Sequence, residues 1–398
     1  MSNQKKKIFV ALSGGVDSAT VAALLKEQGY EVTGVYMKNW SSDFGIANSC
    51  PWEEDLADVE KVAKHLGIPW RVYNFEKEYR ERVLDYFFSE YREGRTPNPD
   101  ILCNNKIKFD LFLEKAVSEG ADAIATGHYS RRAGFNSPFE WEYEATEGLY
   151  TAADLNKDQG YFLQRTSKQQ LDKATFPLGN LLKAEVRTLA EHYSLPVATK
   201  KDSQGICFIG DIDVSDFLKR ELNTKPGPII DADTEQKVGD HQGLWFYTIG
   251  QRHGMGIGGQ KTPFFVAKKD AETNTLYVVR GSDNPLLTPR KVALSAISMI
   301  TSAPANNSEV YASLRYREAP RRVQFTYKED SGELVYSEYA WAPAPGQSAM
   351  LLASPLSLSI VPPETLVSQI KKKFLRQDEF ATPTRLVQIF GGGIITTL

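Results

Sequence analysis

The sequence predicts a parallel α/β domain, a small mainly β middle domain and a C-terminal β-barrel. Three observations carry this. A strand-like run, Ile8-Phe9-Val10-Ala11-Leu12, passes through Ser13-Gly14-Gly15 into a helical pattern. Strand and helix patterns alternate over the first two hundred residues, as in a parallel sheet with helices on both faces. After about Gly210 the chain changes to short strands separated by turn residues.

The elements follow in order. Residues 31–37 read as a strand. Residues 53–66 put Leu56, Val59, Ala63 and Leu66 on one helical face. Residues 69–75 read as a strand, 79–92 and 108–118 as helices, and 121–126 as a short buried strand. Residues 91–109 contain Pro97 and Pro99, which disfavour helix before them. The expectation there is a stiff loop carrying Asn98, Asp100 and Cys103, with a helix beginning near Asn104. Further on, 211–222 reads as a helix, and 226–230, 243–249, 264–268 and 275–279 as strands. Asn284-Pro285-Leu286 reads as a linker, followed by strands at 292–300, 309–317, 322–329, 334–341 and 348–353. The domains expected are 1–210, 211–285 and 286–398.

At 398 residues, 41% hydrophobic and 24% charged, the chain has an ordinary globular composition. No apolar run reaches the roughly 18–20 residues that span a bilayer. The apolar run after the basic start is too short for a signal peptide, so a cytoplasmic protein with no membrane partner is expected. The net charge of −3 gives no global case for nucleic acid, and any RNA contact falls to local basic patches. Three cysteines, Cys50, Cys103 and Cys207, without a C-x-x-C pair exclude a disulfide framework, and no metal site is expected. Cys50 reads as a small buried hydrophobe. Cys103 lies three residues after Asp100, close enough to share a site. Cys207 reads either as a core residue or as a thiol activated by Lys200 and Lys201 folded against it.

A strand leading through glycines into a helix N-terminus is a phosphate cradle, because free N–H groups and the helix dipole both favour an oxyanion. Ser13 and Ser18 add hydroxyl donors, and Asp17 either anchors the turn or holds a magnesium ion. The hexapeptide Ser13-Gly14-Gly15-Val16-Asp17-Ser18 resembles the PP-loop of the ATP pyrophosphatases, whose fold is adenine nucleotide alpha hydrolase-like. These enzymes adenylate a substrate oxygen and release pyrophosphate.

Further motifs occur in one order: Pro97-Asn98-Pro99-Asp100-Ile101-Leu102-Cys103-Asn104, Gly127-His128-Tyr129, Asn156-Lys157-Asp158-Gln159, Phe176-Pro177-Leu178-Gly179 and Lys201-Asp202-Ser203-Gln204-Gly205-Ile206-Cys207. His241-Gln242-Gly243-Leu244, Thr248-Ile249-Gly250-Gln251-Arg252 and Gly391-Gly392-Gly393 follow. Together they resemble the tRNA-specific 2-thiouridylase family (MnmA in bacteria). The resemblance implies replacement of the C2 oxygen of the tRNA wobble uridine by sulfur, using ATP with Mg2+ and a protein that donates persulfide sulfur. It implies that Ala11, Leu12, Ser13, Gly14, Gly15, Val16, Asp17, Ser18, Met37 and Gly127 bind ATP. Asp100 is then the acid–base group, Cys207 the persulfide carrier and Cys103 its partner thiol, the pair ending as a disulfide. Asn98, Pro99, Asp100, His128, Lys157, Asp158 and Gln159 lie at the target nucleotide. Arg315, Tyr316 and Gln347 contact tRNA from the barrel.

The residue types suit that chemistry. A uridine C2 carbonyl is a poor electrophile until its oxygen is adenylated, and two thiols with one carboxylate are the minimum set to deliver sulfur. An amide-forming synthetase using ammonia needs no cysteine pair, and an RNA-binding protein without catalysis needs neither thiol. The chain departs from the family at 353–390, which intervenes before the glycine triplet. Within it, 364–376 reads as an amphipathic helix whose Lys371, Lys372 and Lys373 form either a solvated basic face or a contact to tRNA phosphates.

Overall fold

The computed structural model describes residues 5–40, 52–133, 147–202, 214–222, 224–258, 261–354 and 387–396. Cys50, Cys207 and the helix expected at 364–376 lie outside the described residues.

The first region runs β1 (Lys7–Ala11), α1 (Val16–Glu27), β2 (Glu31–Lys38), α2 (Trp52–Leu66), β3 (Trp70–Asn74), α3 (Glu76–Tyr79) and α4 (Asp85–Arg92). It continues through α5 (Pro99–Cys103), α6 (Leu113–Ser118), β4 (Ala123–Ala125), β5 (Arg131–Ala133), β6 (Gly148–Tyr150), α7 (Gly160–Leu163), α8 (Lys168–Leu171), β7 (Ala174–Thr175) and α9 (Lys183–His192). The sheet order is β3-β2-β1-β4-β7, and every pairing is parallel. Along β1 and β2, Phe9, Val35 and Met37 enter one core, while Ile8, Val10, Val32 and Tyr36 enter the other. Burial on both faces explains why these strands read as unbroken apolar runs. The chain leaves β1 toward β2 on one side and later returns to β4 on the other. The crevice outside the carboxyl ends of β1 and β4 is therefore a topological switch point, where ligands of open α/β sheets bind.

The segment expected as a stiff loop is corrected. Its helix starts at Pro99 rather than near Asn104. Asn98 is the N-cap, its side-chain oxygen accepting from the backbone N–H groups of Asp100 (3.1 Å) and Ile101 (3.4 Å). Pro99 takes the first helical position, where a missing N–H costs nothing. The helix runs on through the π-helical stretch Asn104–Phe112 into α6.

The middle region contains α10 (Val214–Glu221), β8 (Gly227–Asp231), β9 (Lys237–His241), β10 (Phe264–Asp270) and β11 (Thr275–Arg280), in sheet order β10-β11-β8-β9. The strand expected at 243–249 is instead the 3-10 turn Leu244–Phe246. The chain bends at Gly243, whose φ of +153° favours glycine, and Leu244, Tyr247 and Ile249 are drawn into the small core. The polar edge strand β9 escaped the sequence reading because it shows no apolar alternation.

The third region is built from β12 (Lys291–Met299), β13 (Ser308–Ser313), β14 (Arg321–Lys328), β15 (Ser331–Tyr336), β16 (Ser348–Leu352) and β17 (Gln388–Ile395). β12 pairs antiparallel with both β15 and β17, which closes the six strands into a barrel. Closure runs through Gly391-Gly392-Gly393. A Cβ at Gly391 would strike the Ser298 carbonyl, and one at Gly392 would strike Gln164 and the Ala349 carbonyl. β6 pairs with β17 and β5 with β6, so a hairpin from the first two hundred residues extends the barrel sheet.

Candidate active site

The phosphate turn lies at the carboxyl end of β1. Gly14 has φ +74°, and a Cβ there would sit 2.7 Å from the Asp55 carbonyl of α2. Only glycine fits a turn that is both left-handed and pressed against a second helix. Ser18 ties the turn internally. Its hydroxyl accepts from the Ser13 backbone N–H (3.1 Å), lies 3.2 Å from the Ser13 hydroxyl and donates to the Gly15 carbonyl (3.2 Å). Gly15 is the N-cap of α1 and has no side chain to occupy its first N–H groups. Ser13 is exposed at the mouth. Gly127, after β4, closes the other side, since a Cβ there would meet the Ser18 backbone nitrogen at 3.0 Å. An anion thus has uncapped helix N–H groups, a hydroxyl and a helix dipole converging from two loops. Met37 is buried at the end of β2, in the same core as Ala11 and Cys103.

Of the two roles open to Asp17, the structure favours the anchor. Its Oδ1 accepts from the Tyr129 hydroxyl (2.9 Å) and from the Lys183 ammonium (2.7 Å). Burial, then the charge of Asp17, pushes the Tyr129 phenol pKa far up, so it remains a neutral donor. Lys183 also bridges to Asp202 (2.7 Å), which Lys157 (2.6 Å) and Arg187 (2.8 Å) hold as well. Burial pushes the Asp202 carboxyl up, but Lys157 and Lys183 outweigh it and bring it down to about 2. This network ties the phosphate turn to the residue directly before the Cys207 segment. Lys200 does not stand free to activate a thiol, because it is paired with Asp55 and Asp58 of α2 at 2.7 and 2.8 Å.

Asp100 and Cys103 lie three apart on α5, hence on one helix face. Asp100 is half-buried, whereas Cys103 is fully buried in the core with Ile101, Ile107 and Phe109. His128 follows Gly127 and is packed between the rings of Phe109 (5.7 Å) and Phe176 (6.1 Å). Its Nδ1 is 2.7 Å from the Thr126 hydroxyl. Burial, with Lys108 adding, holds its pKa well below the usual range, so the ring is neutral. The line phosphate turn–Gly127–His128–Phe109 thus connects the anion cradle to the cysteine helix.

Other predicted residues are occupied within the protein. Gln159 accepts from the Tyr129 N–H (3.0 Å). Asp158 accepts from the N–H groups of Ala152 and Gly160, yet burial raises its carboxyl to about 6. Arg315 donates to the carbonyls of Ile249 (2.9 Å) and Ala342 (2.6 Å) and lies over the Trp341 ring, joining middle region to barrel. Tyr316 packs 4.5 Å from the ring of Phe162. Gln347 donates to the Thr96 carbonyl (2.7 Å), and the Thr96 N–H donates to the Pro345 carbonyl (2.8 Å). From the middle region, Lys269 donates to the Thr96 hydroxyl (3.1 Å) and the Tyr247 carbonyl (2.9 Å), and burial lowers its pKa to about 7. The approach to α5 is therefore clamped from both other regions.

A family model described as a tRNA methyl transferase HUP domain matches residues 6–211, and one described as a tRNA methyl transferase PRC-barrel domain matches residues 215–280. A tRNA-specific 2-thiouridylase MnmA of Nitrosomonas eutropha is 46% identical over 361 residues, covering 89% of this chain and 97% of that protein. One from Burkholderia pseudomallei is 47% identical over 356 residues, covering 87% and 90%. The chain belongs to the tRNA-specific 2-thiouridylase family. Among solved structures, an NMN synthetase from Francisella tularensis is similar at 17% identity and a TM-score of 0.31, over 50% of this chain and 67% of that one. That likeness carries no argument.

In this 2-thiouridylase chain, two residues of the site were not singled out from sequence. Lys183, 166 residues from Asp17, joins it to Asp202, a pairing with no local sequence signal. Asn39, just beyond β2, is 2% exposed, and neither side-chain polar atom has a partner among the described residues. A buried amide left unsatisfied costs about 1–3 kcal/mol. Its signal was a polar residue at the carboxyl end of a predicted parallel strand.

Proposed function

We propose that the chain is an ATP-dependent tRNA uridine 2-sulfurtransferase acting in the cytoplasm. The observation that carries this reading is the phosphate turn at the β1/β4 switch point, linked through Gly127 and His128 to the helix bearing Asp100 and Cys103. Residues Ala11–Ser18, Met37 and Gly127 take ATP, with Mg2+ as its counter-ion. The uncapped N–H groups at the start of α1 suit its phosphates, and Lys183 adds positive charge beside the turn. ATP supplies the adenylyl group: the uridine O2 attacks the α-phosphorus and pyrophosphate leaves. The terminal sulfur of a Cys207 persulfide, loaded by a donor protein, then attacks C2, and AMP departs with the oxygen. Cys103 attacks the remaining Cys207 sulfur, which leaves a disulfide for an external thiol to reduce. Alternatively, Cys103 attacks the persulfide first and releases sulfide beside C2, ending in the same disulfide. Asp100 handles the proton.

Asn98, Pro99, His128, Lys157, Asp158 and Gln159 border a uridine taken out of the anticodon stack. Arg315, Tyr316 and Gln347 present the barrel side to tRNA, while also holding the regions together. The test supplies tRNA, ATP and sulfide and measures AMP, pyrophosphate and 2-thiouridine. All three products are expected only when all three reactants are present. Pyrophosphate release with ammonia and without tRNA would overturn the reading in favour of an amide-forming synthetase.

A further inference from the structure

A polar recess of about 280 Å³ lies apart from the phosphate turn. Asn105 and Lys106 form one wall, two and three residues beyond Cys103 on the same continuous helix. Arg165, Ser167 and Gln170 form a second, reached from Lys157–Gln159 through α7. Ser298 on β12 of the barrel forms the third. Both stretches proposed to border the target nucleotide therefore run directly into its walls.

Its two cations lack ion pairs among the described residues. Arg165 is mostly buried, and burial lowers its pKa from the ordinary value, yet its guanidinium makes no ion pair or hydrogen bond among the described residues. The ionisable group acting on it is the Tyr86 phenol, whose own pKa is raised, so it is neutral. Lys106 is exposed at the rim, also without an ion pair among the described residues. Asp110 borders the recess, but its carboxylate is bound by Arg82 at 3.0 Å. The rest of the lining is rigid. Asn105 donates to the Arg165 carbonyl (2.6 Å), Gln170 donates to the Asn105 carbonyl (3.1 Å), and Ser167 caps α8 with Gln170. A desolvated guanidinium without a carboxylate, flanked by an ammonium and hydroxyls, is chemistry suited to a phosphate.

We propose that this recess binds a backbone phosphate of the tRNA flanking the target nucleotide. The proposal rests on the tRNA reading above. Phosphate contacts set the register of a nucleic acid without reading sequence, and each neutralised phosphate contributes about 0.7–0.9 to the log–log salt dependence of binding.

The test measures tRNA affinity across a salt series for the unaltered protein, Arg165→Gln and Lys106→Gln, with inorganic phosphate as a separate titrant. Arg165→Gln is expected to weaken binding about tenfold at low salt and to flatten the slope by about 0.7–0.9. Lys106→Gln, a surface change that leaves the fold alone, is expected to shift both in the same direction by a smaller amount. An unchanged slope in both variants, with the unaltered protein binding tRNA normally, overturns the site but not the functional reading. Loss of inorganic-phosphate binding in Arg165→Gln with an unchanged tRNA slope assigns the recess to a free anion and also overturns the proposal. If the unaltered protein binds no tRNA, the functional reading itself falls and takes the site with it.

Discussion

The phosphate turn and the C-terminal barrel reach the same helix by different means. The turn is local: six consecutive residues, one strand and one helix supply the N–H groups, the hydroxyls and the left-handed glycine. The barrel acts at a distance. Gln347 and Pro345 grip Thr96 across some 250 residues, and its closing strand begins only at Gln388, near the end of 353–390. The contrast teaches that the glycine turn is written in a motif, whereas placement of the cysteine helix is a property of three packed regions.

Removing a thiol is the sharpest way to separate the two. Cys103→Ser and Cys207→Ser are each expected to lower persulfide-dependent thiolation by at least about 10³-fold while ATP still binds. Mass spectrometry of the tRNA nucleosides and a nucleotide-binding titration measure both. Near-normal 2-thiouridine in either variant refutes the sulfur route.

Breaking the turn tests the other side. Asp17→Ala and Lys183→Met are each expected to slow pyrophosphate release about 10²-fold, with tRNA affinity unchanged. A loss of tRNA affinity matching the loss of adenylation would mean that turn and barrel are not separable.

Loosening the clamp has a smaller effect. Gly346 has φ +92°, and a Cβ there would lie 2.8 Å from the Thr96 nitrogen. Gly346→Ala is expected to cost about 1–2 kcal/mol of stability and to lower the thiolation rate without changing ATP affinity. A urea midpoint equal to that of the unaltered protein contradicts the clamp.

The smallest effect is acidic. Asp202 titrates at about 2 in the fold, against an ordinary value of 3.8. A depressed carboxyl stabilises above its unfolded pKa, and the contribution disappears as pH falls through about 2. The full shift corresponds to about 2 kcal/mol, and partial exposure of the group reduces that to about 1 kcal/mol. Asp202→Asn should therefore be less stable than the unaltered protein at pH 5, with the difference shrinking toward pH 2. A constant difference across that range denies the ion pairs their role.

Much of the first region was legible because its signals are short-range. β1 announces itself by its apolar run, α2 by its helical apolar spacing, and Gly14 and Gly15 by the turn they permit. Asn98-Pro99 was misread, since a proline can end one element or start the next. Only the capped N–H groups of Asp100 and Ile101 show that it starts a helix. The 3-10 turn at Leu244 was misread for a related reason: its apolar residues suit a strand equally well until the small core claims them.

By itself, the sequence determined the alternation of strands and helices, the anion-binding turn and the family to which the chain belongs. These depend on neighbours within a few residues, where steric limits and hydrogen-bond reach act directly. Tertiary structure alone decided that Lys183 bridges Asp17 and Asp202, that Thr96 is held from two other regions, and that β5 and β6 join the barrel. Such contacts join residues from 19 positions apart, as Lys183 and Asp202, to 251 apart, as Thr96 and Gln347. No local propensity specifies them, because each forms only when cores packed elsewhere have brought the two surfaces within reach.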